Sequence, residues 1–175
     1  MILLEDRSVL RFKGDDKLSF LQGLVTCDVM VDTPLLYGAM LSPQGKIRYD
    51  FFLHTSGDEL LMDVANFQLE DIKKILRLYK LRADVTIDEA PELAVVASLT
   101  NDNDFTSDPR LPAMGSRSIM LREELVGKPL LPLLSYHAHR IHCGIADSED
   151  FIPDRAFTSE SVSYTHLTLP TICSV

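Results

Sequence analysis

The sequence predicts an α+β fold in which a largely antiparallel sheet packs against a few helices. Short apolar runs follow one another through tight turns, as in a sheet built from hairpins. One segment, Phe67–Lys80, has the apolar spacing of an amphipathic helix. Because strands and helices are mixed with hairpins along the chain, the pattern indicates an antiparallel arrangement.

The first predicted elements are a strand and a short helix. Ser8–Lys13 alternates polar and apolar residues, which is typical of a strand. Gly14 ends that strand, and Asp15 is in position to cap the helix through its side-chain oxygen. The helix carries leucines at helical spacing, and Gly23 is expected to end it in a left-handed conformation.

A β-hairpin is predicted next. The apolar runs Leu35–Leu41 and Ile47–His54 flank the segment Ser42–Gly45, whose proline and glycine stand at the second and fourth positions. Those are the positions that proline and glycine prefer in a type I turn. Glu59–Ala65 then returns as a third strand.

The clearest helix, Phe67–Lys80, follows Asn66, which is the predicted cap. Its apolar residues occur at i, i+3, i+4 and i+7 and define one buried face. Those residues are Ile72, Ile75, Leu76 and Tyr79. Further strands and a last helix are predicted at Val85–Ile87, Leu93–Leu99, Arg117–Arg122 and Leu131–Cys143.

The length of 175 residues suits one domain, or one domain with part of a second. The polar, turn-rich segment Asn101–Ser107 marks the best internal boundary. We therefore expect residues 1–100 to form the N-terminal part of one α+β domain and residues 101–161 to begin a second, truncated α+β segment.

The last fourteen residues, Val162–Val175, contain no Asp, Glu, Lys or Arg. Their first ten residues, VSYTHLTLPT, resemble a translated sequencing-library adapter, so we expect a non-native tail. The alternative is a genuine short strand, since Val, Tyr and Thr favour strands. The adapter interpretation implies an N-terminal fragment of a longer protein.

Composition excludes several classes of protein. The net charge of −9 gives no overall basic footprint, so direct nucleic-acid binding is not expected. No apolar run is long enough for a membrane span, and the first residues do not form a secretory signal. The three cysteines form no CxxC pair, which favours a reducing cytoplasm over a disulfide framework.

A local basic patch stands out in this acidic protein. It consists of Lys73, Lys74, Arg77, Lys80 and Arg82. Such a patch suits contact with RNA phosphates or with an anionic ligand tail. The alternative is a solvated helix face that complements the helix dipole.

Several imidazoles and one thiol cluster near the end of the last predicted helix. His139 would share a helix face with His142 and Cys143, a pattern that can present ligands to a metal. Because no fourth ligand with suitable spacing lies nearby, we predict no metal site. The alternative is an exposed helix end that carries imidazoles near its C-terminal dipole.

Asp50 is the most informative carboxylate, because its strand is otherwise dominated by Ile, Tyr, Phe and Leu. A carboxylate among such neighbours must reach a partner, reach water or take a raised pKa. A raised pKa suits proton transfer. Strand alternation also allows Asp50 to face solvent.

Six short segments, spread over the chain up to about Ser161, form an ordered set of motifs. They are FLQGLVTCDV (Phe20–Val29), YGAMLSPQGKIRYDF (Tyr37–Phe51), RLYKLRADVTI (Arg77–Ile87), DPRLPAMG (Asp108–Gly115), YHAHRIHCGI (Tyr136–Ile145) and FIPDRAF (Phe151–Phe157). This set resembles the folate-binding YgfZ family of the glycine cleavage T-protein superfamily. The resemblance implies a T-protein-like folate-binding domain, incomplete at its C-terminal end, that contributes to a channel for tetrahydrofolate.

The resemblance also implies the site residues. Tyr37 matches a tyrosine that touches folate in the related T-protein enzymes. Asp50 matches the aspartate that these enzymes place near the reactive nitrogen of folate, which makes it the candidate catalytic residue. Asp63 is assigned to the folate-binding set as well. The T-protein pattern Thr-Asn-Asp is present as Thr26–Asp28, with cysteine in the middle.

By resemblance, the parent protein binds tetrahydrofolate and is accessory to iron–sulfur cluster assembly or repair and to tRNA modification. Its expected partners are iron–sulfur enzymes or assembly factors, in the cytoplasm. The first alternative is a tetrahydrofolate-dependent aminomethyltransferase in which Asp50 exchanges a proton with folate; the PQGK and FLQG segments favour the accessory family. The second alternative is an inactive truncated fragment, because the KGCYxGQE-type motif of the family does not occur in this chain.

Overall fold

The computed structural model describes residues 1–150 and Arg155. In this part of the chain nine strands form two antiparallel sheets, which confirms the α+β prediction. The strands are β1 (Ile2–Leu3), β2 (Arg7–Lys13), β3 (Leu35–Leu41), β4 (Ile47–Ser56), β5 (Glu59–Ala65), β6 (Thr86–Glu89), β7 (Leu93–Ser98), β8 (Thr106–Ser107) and β9 (Ser116–Leu121). The helices are α1 (Lys17–Gln22), α2 (Leu69–Lys80) and α3 (Leu133–His142).

The larger sheet has the strand order β3-β4-β5-β2-β6, and the smaller sheet has the order β1-β7-β9-β8. The hairpin prediction is confirmed, since β3 pairs with β4. The Gly45 amide donates to the Ser42 carbonyl at 2.8 Å, which closes the turn. β5 has the predicted bounds.

Three predicted helix signals are wrong, because the side chains or backbone have other partners. α1 begins after Asp16 rather than Asp15, and the Asp16 carboxylate accepts the Asp84 amide at 2.8 Å instead of capping the helix. Gly23 is right-handed, with φ −77°. Asn66 lies in a 3-10 turn before α2, and its side chain bonds to the connection between β1 and β2 instead.

Alternation along β4 separates two cores. Tyr49, Phe51 and Leu53 pack with α1 and α2 in an apolar core, which also includes Leu10, Phe12, Ile72 and Leu76. The even-numbered residues of β4 belong to the opposite face of the larger sheet. On that face a second apolar core joins the two sheets and α3, and its members include Ile2, Val9, Leu61, Val95 and Tyr136.

The smaller sheet joins strands from both sides of the predicted boundary at residue 100. β7 pairs with β9 from Leu93↔Leu121 to Ser98↔Ser116, and β1 pairs with β7. The segment Phe151–Phe157 (apart from Arg155) and the predicted tail Val162–Val175 lie outside the described residues. Among the residues that are described, no helix has the length and apolarity that crossing a membrane requires.

Candidate functional site

Charged and polar side chains form a buried layer on the face of the larger sheet that turns away from α1 and α2. Strand alternation places Asp50, Phe52 and His54 of β4 on this face. Phe52 stands opposite Tyr37 of β3 on one side and opposite Asp63 of β5 on the other. The three residues that the family resemblance assigned to folate therefore lie in adjacent strands.

Asp50 is buried and hydrogen-bonded, so the alternative in which it faces solvent is wrong. The carboxyl is 1% exposed, and the Tyr37 hydroxyl donates to Oδ2 at 2.9 Å. The Ser148 hydroxyl donates to Oδ1. Burial raises the pKa of Asp50, and the charge of Asp147 raises it further, while Arg7 and the two hydroxyl groups act in the opposite direction.

Asp63 has a different environment, because both of its carboxylate oxygens are held by arginines. Arg7 Nε lies 2.6 Å from Oδ1, and Arg117 Nη2 lies 2.6 Å from Oδ2. Burial acts to raise the pKa of Asp63, but the charges of the two guanidinium groups hold that pKa below its usual value. Asp63 therefore stays an anion. It links its own strand, β5, to β2 through Arg7 and to β9 through Arg117.

Three guanidinium groups surround the Phe52 ring. Their central carbons lie 3.6 Å (Arg117), 4.7 Å (Arg110) and 5.9 Å (Arg7) from the ring centroid. Cations over an aromatic face are attracted by its quadrupole, more strongly when water is excluded. Arg110 also forms a two-bonded ion pair with Asp108, at 3.0 and 2.7 Å.

A turn from the C-terminal end of the described chain covers Asp50. Ser148 begins a 3-10 turn and is 2% exposed. Asp147 accepts a bond from Arg7 Nη1 at 3.3 Å, and Arg140 Nη1 lies 2.5 Å from the Asp150 carboxylate. These ion pairs hold the turn over the carboxyl of Asp50.

Sequence reasoning missed most of this layer. Arg7, Arg110 and Arg117 were not singled out as site residues, and neither were Asp147 and Ser148. The available signal was weak: Arg7 and Arg117 are charged residues at inward positions of predominantly apolar strands. Only the packing of the two sheets brings these residues together.

The histidine and cysteine cluster has ordinary partners. His139 Nε2 lies 2.8 Å from the Ala113 carbonyl oxygen, and Cys143 Sγ lies 3.7 Å from the same ring nitrogen. His137 Nε2 lies 3.1 Å from a carboxylate oxygen of Asp6. Within residues 1–150 and Arg155, no group of three His, Cys, Asp or Glu side chains is arranged to hold a metal ion.

The arrangement offers one carboxyl group suited to exchange of hydrogen bonds or a proton. Asp50 combines burial, a raised pKa and two hydroxyl donors, a combination that is typical of sites for proton transfer or for recognition of ring nitrogens. The neighbouring arginines supply positive charge, and the charge of Arg7 acts to lower the pKa of Asp50. We therefore regard Tyr37 and Asp50 as the centre of the candidate site.

Comparison with curated proteins gives two groups of relatives. The chain is 30% identical over 198 residues to the human iron-sulfur cluster assembly factor IBA57, mitochondrial; the match covers 90% of this chain and 54% of that protein. It is 37% identical over 95 residues to the tRNA-modifying protein YgfZ of Photobacterium profundum, covering 50% of this chain and 29% of that protein. The chain thus spans about half the length of its IBA57 relatives.

No protein-family model matches the chain. Among solved structures, the glycine cleavage system aminomethyltransferase T from Bartonella henselae aligns with a TM-score of 0.48 and 11% identity, over 54% of this chain and 27% of that one. The sequence matches agree with the ordered motifs described above. The chain is therefore homologous to the IBA57 and YgfZ proteins, of which its motifs predicted the YgfZ resemblance.

Proposed function

We propose that this chain is the opening part of a tetrahydrofolate-binding protein that assists iron–sulfur cluster assembly or repair. The observation that carries the folate part is the buried pair of Tyr37 and Asp50, at the two positions that the family motif assigns to folate contact. The iron–sulfur part rests on the relatives, one group of which is named for iron-sulfur cluster assembly and the other for tRNA modification.

The polar groups near Asp50 fit a folate. Several buried nitrogens have no hydrogen-bond partner among the described residues: His54 Nε2, Arg110 Nη1, and Arg117 Nε and Nη1. Guanidinium nitrogens are donors only, so they require acceptors such as ring nitrogens, a pterin carbonyl or a carboxylate. Asp50 supplies the complementary acceptor for a ring N–H group. Tetrahydrofolate carries both kinds of group.

Each residue of the proposed site has its own role. Asp50 accepts a hydrogen bond from a nitrogen of the folate ring, and Tyr37 orients the carboxyl group. Asp63 keeps Arg7 and Arg117 in place and binds folate only through them. Because Ser148 covers Oδ1 of Asp50, the turn that begins with Ser148 moves aside when folate binds.

The iron–sulfur partners belong to the whole protein, of which this chain is a part. We propose an accessory role in which bound folate is not consumed, with iron–sulfur enzymes or assembly factors as partners and an effect on tRNA modification through them. Cytoplasmic location stays a prediction, since the IBA57 relatives are named as mitochondrial proteins.

Equilibrium binding of tetrahydrofolate to the full chain tests the proposal. We expect saturable binding by the wild type that is weakened at least tenfold in Asp50→Asn, because Asn keeps the size but loses the charge and the titrating proton. Tyr37→Phe removes one hydrogen bond, worth about 0.5–1.5 kcal/mol, and should weaken binding less. Isothermal titration calorimetry measures all three affinities.

Asp88→Asn, an exposed position on β6, is the matched control and should bind as the wild type does. Thermal midpoints of the same proteins separate loss of binding from loss of folding. Unchanged affinity with a lowered midpoint in both site variants would show that Tyr37 and Asp50 serve the fold alone.

A further inference from the structure

A groove runs along one edge of β9, in the smaller sheet. It has a volume of about 670 Å³, and four consecutive residues of the strand, Ser118–Leu121, line it. Successive side chains of a strand point to opposite faces of its sheet. A groove that four residues in a row line therefore lies along the edge of the strand rather than on one face. We call this feature the β9 groove.

The edge of β9 that borders the groove is only partly covered. β8 is the neighbouring strand on that side, and it pairs with β9 at Ser116 and Arg117 alone. From Ser118 to Leu121, no strand within the described part of the chain pairs with this edge. An uncovered edge presents backbone donors and acceptors that another strand can bind.

The register of β9 shows which backbone groups are uncovered. The Arg122 amide donates to the Glu92 carbonyl, just before β7, at 2.8 Å. Because hydrogen-bonded pairs alternate along an antiparallel ladder, Met120 also directs its backbone groups to β7. Ile119 and Leu121 then direct theirs to the open edge, where no described residue bonds to them. Each of these two residues offers one N–H donor and one C=O acceptor.

The β9 groove combines apolar walls with acidic side chains. Leu61, Phe105 and Ile119 are among its apolar lining residues. Its charged lining residues, counted over the described chain, are four carboxylates and two cations. They are Glu59, Asp102, Asp104, Glu124, Arg11 and Lys128.

The negative charge of the groove is largely unpaired. Arg11 is held by two carboxylates, at 2.9 Å from Glu59 and 2.7 Å from a second glutamate outside the groove. The other three carboxylates of the lining are exposed and form no ion pair with any residue that the structure describes. Lys128 is the one lining cation left to oppose them within that part of the chain. Charge complementarity therefore favours a basic ligand.

The positive charge of the molecule lies elsewhere. None of the cations of the basic patch on and after α2 lines the β9 groove. In that patch Lys73 and Lys74 pair with acidic residues of α2 and β6. Tyr79, which the sequence predicted to be buried on α2, is 54% exposed there. The open edge of β9 is thus on an acidic surface, away from the basic one.

We propose that the open edge of β9 binds an extended basic segment of a partner protein, which adds a strand to the smaller sheet. The backbone of the segment pairs with Ile119 and Leu121, as in other cases of β-strand addition. Side chains on one face of the segment are apolar and pack against Leu61. Lysines or arginines of the segment lie beside Asp104 and Glu124.

The same features argue against other occupants of the groove. Two copies of the chain that paired edge to edge would bring their acidic side chains together, and like charges repel. The phosphates of a nucleic acid would be repelled for the same reason. The proposal does not depend on folate, because Tyr37, Asp50 and Ser148 do not line this groove.

Fluorescence anisotropy with the full chain tests the proposal. The probe is a labelled peptide about six residues long, the usual length of a strand, that alternates valine with lysine. We expect saturable binding that is at least tenfold tighter than for the same peptide with glutamate in place of lysine. Binding should weaken as salt is raised, because the acidic side chains of the groove are exposed.

Methylated peptides test whether the backbone pairs as a strand. Methylation of alternate amide nitrogens removes the donors on one edge of the peptide and leaves those on the other edge. We expect one alternate set of methyl groups to abolish binding and the other set to leave it nearly unchanged.

Hydrogen exchange measured by NMR locates the paired edge. The amides of Ile119 and Leu121 should exchange at least tenfold more slowly when the lysine peptide is bound. The amides of Ser118 and Met120 should change less, because β7 already holds them.

A pair of charge-reversal variants tests the acidic side chains. Asp104→Lys combined with Glu124→Lys should weaken binding of the lysine peptide at least tenfold. Asp88→Lys combined with Glu123→Lys is the matched control, because it makes the same change in net charge at exposed positions that do not line the groove. Thermal midpoints close to that of the wild type confirm folding of both.

The proposal is overturned if the glutamate peptide binds as tightly as the lysine peptide, if both methylated sets bind alike, or if Ile119 and Leu121 gain no protection. Equal losses of affinity in the two charge-reversal variants would overturn it too. It is also overturned if the chain alone dimerises with these amides protected, or if the full-length parent does not bind the peptide. A second copy, or further residues of the parent, would then occupy the edge.

Discussion

Two aspartates of the buried layer show how strongly neighbours decide the behaviour of a residue. Asp50 and Asp63 are both buried, and they lie on adjacent strands. Burial and the charge of Asp147 raise the pKa of Asp50, and the hydrogen bonds from its two hydroxyl partners do not offset them. Asp63 meets two guanidinium groups, so its pKa is lowered despite burial. The same residue type therefore serves as a candidate proton carrier in one position and as a permanent anion in the other.

His54, in the buried layer, makes the free energy of unfolding depend on pH. Burial lowers the pKa of His54 to about 4, from 6.5. Because the unfolded chain then binds more protons between these values, the free energy of unfolding falls as pH falls through this window. We expect His54 to contribute a loss of about 2 kcal/mol between pH 7 and pH 5. Urea unfolding at the two pH values measures it.

His54→Gln is the comparison, because Gln is polar and does not titrate. The variant should lose about 2 kcal/mol less than the wild type over the same interval. The raised pKa of Asp50 contributes with the opposite sign, but it is present in both proteins and does not affect the difference. Equal losses in the two proteins would mean that His54 is protonated in the folded state.

At the scale of elements, sequence patterns predicted the long strands and did not predict the shortest ones. Alternation predicted β2, whereas β3, β4 and β5 were predicted as runs separated by turns, and the pairing of β3, β4 and β5 follows from those turns. β1 and β8 have two residues each, too few to show a period, and they form only because β7 and β9 offer partners. The cap predicted for α1 was wrong for a related reason: the helix begins after Asp16, whose side chain binds the distant backbone amide of Asp84.

Gly115 tests how tightly the smaller sheet is built. It has φ +84°, and a Cβ atom added there would lie 2.2 Å from the Ser98 carbonyl oxygen at the end of β7. Because backbone rather than a flexible side chain blocks this space, Gly115→Ala must shift the strand. We expect a loss of about 3 kcal/mol in the free energy of unfolding, measured by urea denaturation.

Gly127→Ala is the matched control, because Gly127 has φ +78° and no atom lies within 4 Å of the added Cβ. Its free energy of unfolding should fall by only about 1 kcal/mol, the cost of placing alanine in the left-handed region. If both variants lose the same amount, the close approach of Gly115 to β7 contributes nothing.

At the scale of the whole molecule, the candidate site depends on residues that are far apart in the sequence. The motifs predicted Tyr37 and Asp50, and the structure brings them within 2.9 Å. Arg7 and Arg117 stand 110 positions apart by number, yet both bind the carboxylate of Asp63. Local patterns cannot predict such a pairing, because it depends on how one sheet packs against the other. Folate contact at this layer stays a prediction.

The location of bound tetrahydrofolate tests the central claim most directly. Two-dimensional NMR spectra of the isotopically labelled full chain, recorded during a tetrahydrofolate titration, report the residues whose surroundings change. We expect the largest shifts at the amides of Tyr37, Asp50 and Ser148, saturating together, with little change at Leu78 and Tyr79 on the opposite side of the larger sheet. Saturating shifts that leave Tyr37 and Asp50 unchanged, or no shifts at millimolar tetrahydrofolate, would contradict the account.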